Sequence, residues 1–160
     1  MGKTKIRIAF WFIVIMVSSC ATLVVSDPDI RKVQVIVDLP KMKKNEIFSK
    51  TMEWMAKTYV SSKEVIQLSD QENGKIIGRG MTQFNNTIIS SIPCEYSISI
   101  DIKDEKIRIT CDNYIGLWGE YQNTRQEVIY EDLIIQINNN LELLINKLII
   151  FLKENKSSSW

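Results

Sequence analysis

The chain has 160 residues, 20 basic and 19 acidic, and no histidine. The missing histidine excludes Ser-His-Asp and Cys-His catalysis and every histidine-containing metal site. A net charge of +1 lacks the basic footprint of a nucleic-acid binder, and no Gly-rich phosphate loop, paired-cysteine zinc motif or EF-hand spacing is present.

The amino terminus has the layout of a secretory signal. Lys3, Lys5 and Arg7 precede an unbroken apolar run, Ile8 to Val17, and then Val17-Ser18-Ser19-Cys20. The basic residues stay on the cytoplasmic side while the apolar helix enters the membrane. At about 1.5 Å per residue the run is too short to span about 30 Å of hydrocarbon. Val17 to Cys20 resembles a bacterial lipobox. That resemblance implies acylation of the Cys20 thiol and cleavage just before it, with two or three acyl chains as a stable anchor. Two other readings stay open: an uncleaved anchor stretched over Ile8 to Val25, and ordinary signal cleavage with an incidental cysteine. Cleavage removes three basic and no acidic residues, leaving 141 residues with 17 basic and 19 acidic, net −2. That length suits one domain. The expected organisation is a signal peptide over 1–19, lipidated Cys20 and a tether over 20–32, an α+β domain over 33–153, and a polar tail over 154–160.

Val33 to Leu39 is rich in β-branched residues and reads as a strand stopped by Pro40. Asn45 to Val60 reads as a helix. Phe48, Met52, Met55 and Tyr59 share one face, Ile47 and Trp54 widen it, and Asn45 is the expected N-cap. Val65 to Ser69 is a second strand. Asn73-Gly74 marks a hairpin turn, and Lys75 to Phe84 returns. Gly78 and Gly80 in that strand suggest a bulge or a spot where a helix packs close rather than a ligand site. Asn85 to Pro93 reads as a polar connection.

The next hairpin is the clearest. Cys94, Tyr96, Ile98, Ile100 and Ile102 alternate with polar residues, and so do Ile107, Ile109 and Cys111. A turn at Lys103 to Lys106 sets Ile102 opposite Ile107, Ile100 opposite Ile109, Ile98 opposite Cys111 and Asp101 opposite Arg108. Cys94 then lies opposite Ile115, about 13 Å along the sheet from Cys111. A disulfide needs Cα atoms within about 7 Å, so two reduced, buried cysteines are expected. Tyr114 to Tyr121 reads as a Gly-punctuated aromatic loop. Tyr114, Trp118 and Tyr121 are a candidate partner surface, with Trp118 as a cap on the core the alternative. Tyr130 to Lys153 reads as a long helix with a core stripe at Tyr130, Ile134, Ile137, Leu141, Leu144, Leu148 and Phe151. Leu143 and Ile150 fall off that stripe and suggest a self-association or membrane-proximal face.

The order is β-α-β-β-β-β-α, which points to an α+β domain: a five-stranded antiparallel sheet with both helices on one face. The order resembles one half of a TATA-binding-protein-like fold. The opening VQVIVDLPKMKKNEIFSKTMEWMAKTYVSSKEVIQLSD and the hairpin ENGKIIGRG also resemble a bacterial family of unknown function. That family is described as TBP-like and is found mainly in envelope proteins of Bacteroidetes-type bacteria. The resemblance covers about residues 32–153 and implies fold and envelope setting, with no catalytic residue to carry over. DNA-binding proteins of this architecture use the open sheet face. Here that face presents Glu95, Ser97, Ser99, Asp101, Arg108, Thr110 and Asp112, whose excess of carboxylates opposes phosphate.

The expected function is therefore a lipid-anchored envelope protein, a non-enzymatic binding or accessory module that meets the membrane through Cys20 and an envelope protein or small ligand through its domain. No cofactor, metal or nucleic acid is expected. The resemblance to bacterial lipoproteins implies that Ala21 after the cysteine, rather than Asp, is compatible with outer-membrane sorting, with the domain facing the periplasm or the cell surface. The alternatives are a hydrolase using Glu95, Asp101 and Asp112, and a structural protein self-associating through the last helix.

Overall fold

The computed structural model describes residues 26–59, 65–87 and 90–154. The signal segment, Cys20, the start of the tether and the end of the tail lie outside the described residues. After a short 3-10 turn at Pro28–Ile30, the order is β1 Val33–Asp38, α1 Lys44–Thr58, β2 Ile66–Asp70, β3 Lys75–Thr87, β4 Ser90–Lys103, β5 Lys106–Trp118, β6 Thr124–Glu127 and α2 Glu131–Lys153. The sheet runs β1-β5-β4-β3-β2, wholly antiparallel, with β6 also on β5. β1 pairs with residues 106–111 of β5 and β6 with 115–118, so the two short strands lie end to end along one edge.

The expected α+β class holds, with one strand more than expected. β6, Thr-Arg-Gln-Glu, is exposed at every position, so it carries no apolar alternation to announce it. It exists through its ladder to β5. The expected polar connection over 85–93 is instead strand: β3 runs to Thr87 and β4 starts at Ser90. Pro93 is tolerated there for a definite reason. Asn140 donates to the Gln83 carbonyl at 2.8 Å, so Gln83 turns its backbone away from β4. Its partner Pro93 then directs its missing N–H toward β5, past the last β4–β5 pair at Cys94 and Gly116.

The central hairpin keeps the expected register from Ile102↔Ile107 to Ile98↔Cys111. Beyond it, Ser97 faces Asp112 while Glu95 faces Ile115, so β5 carries one extra residue. Asn113 takes φ 56° within this bulge, a conformation asparagine tolerates. Cys94 therefore meets Gly116, not Ile115. The bulge also reverses the facing of β5. Ile107, Ile109 and Cys111 are buried before it, and Tyr114 and Gly116 after it.

Both helices cover the same face, α1 against β4 and α2 against β3 and β1. α1 begins one residue earlier than expected, and Asn45 is not its cap. The residue in the N-cap position, Lys43, makes no side-chain cap. The Asp104 carboxylate from the β4–β5 turn accepts the Lys44 N–H at 2.8 Å, so the cap comes from a distant part of the chain. In α2 the buried residues are Leu133, Ile134, Ile137, Leu141, Ile145, Leu148 and Leu152. Ile145 and Leu152 replace the expected Leu144 and Phe151. A four-three rhythm has a period of 3.5, whereas a straight helix turns once per 3.6 residues. The stripe therefore drifts by about 20° per heptad, which carries Leu144 and Phe151 toward the edge of the buried face and brings Ile145 and Leu152 into it.

Candidate functional site

The sheet face opposite the helices is a mosaic of ion pairs. Arg108 donates from Nε at 3.1 Å and Nη2 at 2.9 Å to the same Asp101 oxygen. Arg125 reaches across β5 from β6 and grips both oxygens of Glu95 at 2.6 Å each. This fork holds the Glu95 carboxyl below its usual pKa, and Arg79 contributes. Lys106 pairs with Asp38 at 3.2 Å. The expected one-arginine face is thus more basic than its β4–β5 residues alone implied, because β6 supplies Arg125 and β3 supplies Arg79. Of the three candidate acid–base carboxylates, Glu95 has both oxygens engaged by Arg125, whereas Arg108 engages one oxygen of Asp101. Among the described residues, no three His, Cys, Asp or Glu side chains gather as a metal site.

The aromatic residues proposed as a partner surface do not converge. The Asn113 bulge turns Tyr114 inward, where its hydroxyl donates to Asn138 Oδ1 at 2.9 Å and to the Cys111 carbonyl at 3.2 Å as alternatives. Burial pushes the Tyr114 hydroxyl pKa up. Trp118 packs on Phe84 with ring centroids 5.6 Å apart, at the end of the core. Only Tyr121, 81 % exposed, projects from the β5–β6 loop. Cys94 and Cys111 are free and buried, and burial pushes both thiols up to about 12.

On the helix side lies a second feature, which the sequence marks only through Gly80. Tyr96 of β4 and Tyr59 just past α1 meet hydroxyl to hydroxyl at 2.9 Å. Tyr96 reaches this position because Gly80 on the neighbouring strand has no Cβ. One built there would lie 2.2 Å from Cζ and from the hydroxyl oxygen of Tyr96. The close approach suspected at Gly80 is thus a cross-strand ring, not a helix. At Gly78 the neighbour is the Val65 carbonyl, and the irregularity lies in the partner β2, between Ile66 and Leu68. Beside the tyrosine pair a groove of about 390 Å³ opens between Thr58 and Tyr59, Thr82 and Tyr96, and Leu144 and Lys147 of α2.

Where the chain enters the domain, Ser26 is fixed. Its N–H donates to the Ile129 carbonyl at 2.7 Å, its hydroxyl donates to the same oxygen at 2.8 Å, and Arg31 binds its carbonyl at 2.8 Å. The expected tether over 20–32 is therefore docked from Ser26 onward.

Known proteins place this architecture. A TBP-like protein from Parabacteroides distasonis superposes with a TM-score of 0.64 at 12% identity, over 77% of this chain and 92% of that one. A DUF4468 family protein from Bacteroides ovatus gives 0.62 at 12% identity, over 83% and 92%. At such identity these likenesses show the fold alone. No curated protein matches the chain. The family model for DUF4468, a domain of unknown function with a TBP-like fold, matches residues 34–114, from β1 through the bulge of β5. The chain is a member of this DUF4468 family.

Proposed function

We propose that this protein is a lipid-anchored envelope protein whose TBP-like domain serves as a non-enzymatic binding or accessory module, held at the outer membrane through Cys20. The observation that carries the proposal is the run from Lys3 to Cys20: basic start, apolar stretch, small residues, cysteine. The docking of Ser26 supports it and sharpens it. Residues 20–25, the acylated cysteine included, precede the docked Ser26. Fully extended, they reach about 20 Å, so the domain would be displayed close to the lipid surface. The arginine-bound state of Glu95 and Asp101 favours a binding module over a carboxylate hydrolase. Cells fed an alkyne fatty acid should yield labelled protein in the outer-membrane fraction, and Cys20→Ala should abolish both label and fractionation. Unlabelled, soluble wild-type protein would refute the proposal.

A further inference from the structure

The groove beside Tyr59 and Tyr96 has the makings of a ligand site, and its chemistry is specific. Its volume of about 390 Å³ lies within the range of small-molecule pockets. Tyr96 is 2 % exposed, and among the described residues its hydroxyl hydrogen-bonds only to the hydroxyl of Tyr59. Two phenols carry two protons, and the single bond between them uses one. The second proton has no acceptor among the described residues, although a buried donor normally finds one. Burial raises the pKa of both phenols, so both remain protonated donors at neutral pH. Among the described residues, Lys147 is the one charged residue lining the groove, and no carboxylate pairs with it. Leu141 and Leu144 supply apolar wall beside these donors.

We propose that this groove binds a small carboxylate with an apolar body. The carboxylate accepts from the unused phenol proton and from the Lys147 ammonium, and the apolar portion lies along Leu141 and Leu144. The one ammonium balances a single negative charge, as on a carboxylate, while the neutral phenol adds a hydrogen bond, and a phosphate dianion is left undercompensated. An organic cation would be repelled by Lys147. The proposal stands apart from the lipid anchor.

The test uses the full chain in phosphatidylcholine nanodiscs at pH 7.5, with 6,6,6-trifluorohexanoate observed by fluorine NMR against empty nanodiscs. Wild-type protein should broaden the signal saturably, and hexanoate should displace the probe while hexylammonium and hexanol do not. Lys147→Gln should weaken binding about tenfold, the loss expected for one charge-assisted hydrogen bond, and Leu144→Trp should abolish it by filling the groove. Near-UV circular dichroism checks that both variants keep their tertiary packing. Lys147 is exposed, so Lys147→Gln reports even if Leu144→Trp misfolds. Absence of saturable binding by wild type, equal displacement by hexanol, or unchanged affinity in folded Lys147→Gln would overturn the proposal.

Discussion

Gly80→Ala is the substitution whose cost the structure specifies most closely. On a strand with open space, adding a methyl to glycine stabilises by about 0.4–1 kcal/mol, because the unfolded chain loses freedom. At Gly80 the new Cβ would sit 2.2 Å from Cζ and Oη of Tyr96. Carbon–carbon contacts settle at about 3.5–4.0 Å, so the ring must retreat by more than an ångström. The phenol is the far end of its side chain but has nowhere to go: Tyr96 is 2 % exposed and held by Tyr59 at 2.9 Å. Overpacking of this kind costs about 1–3 kcal/mol, and weakening the phenol pair adds about 1 kcal/mol, so the expected loss is about 2–4 kcal/mol. The decisive assay is a double-mutant cycle by equilibrium urea unfolding, followed by tryptophan fluorescence. Tyr96→Leu removes the obstructing atoms and is itself destabilising by about 2–4 kcal/mol. In that background Gly80→Ala should cost little, giving a coupling of about 2 kcal/mol or more. Additive losses, or a stabilising Gly80→Ala in the parent, would refute the packing argument.

Two further predictions concern titratable groups. With thiols pushed up to about 12 by burial, Cys94 and Cys111 should hold only ~10⁻⁴ thiolate at pH 8. They should react with Ellman's reagent only after unfolding; a 2-dalton mass gain on reduction would instead reveal a disulfide. The carboxyls of Glu95, Asp104 and Asp70 are all depressed, by Arg125, by the Lys44 N–H and by Asn73 respectively. A depressed carboxyl contributes stability above its unfolded value and loses it as pH falls through the folded one. Urea midpoints should therefore hold steady from pH 7 to 5 and fall below about pH 4, with a shallower fall in Glu95→Gln. Midpoints that rise on acidification from pH 5 to 3 would contradict this.

The central hairpin was legible because both its strands alternate strictly and its turn is four charged residues. Register then followed from pairing isoleucine with isoleucine, as the structure has it from Ile102↔Ile107 onward. Legibility ended at the Asn113 bulge. One inserted residue reverses every later facing, and the only local signal is an asparagine able to take φ 56°. Tyr114 thus read as a loop residue although its side chain is core. β6 was invisible for a different reason: an exposed strand held by backbone pairing leaves no hydrophobic trace. The cap on α1 was misassigned because Asp104 is distant in sequence and only the fold brings it to Lys44. The Tyr59–Tyr96 pair needed the same long-range knowledge. Gly80 was its one sequence signal, and a glycine in a strand does not say which neighbour occupies the space.

The most direct test of the envelope proposal is the mass of the amino-terminal tryptic peptide from membranes of the native host. No Lys or Arg lies between Cys20 and Arg31, so processing before a lipidated cysteine predicts a peptide of Cys20 to Arg31 heavier by its acyl and glyceryl groups. A peptide that begins elsewhere, or one beginning at an unmodified Cys20, would contradict the account.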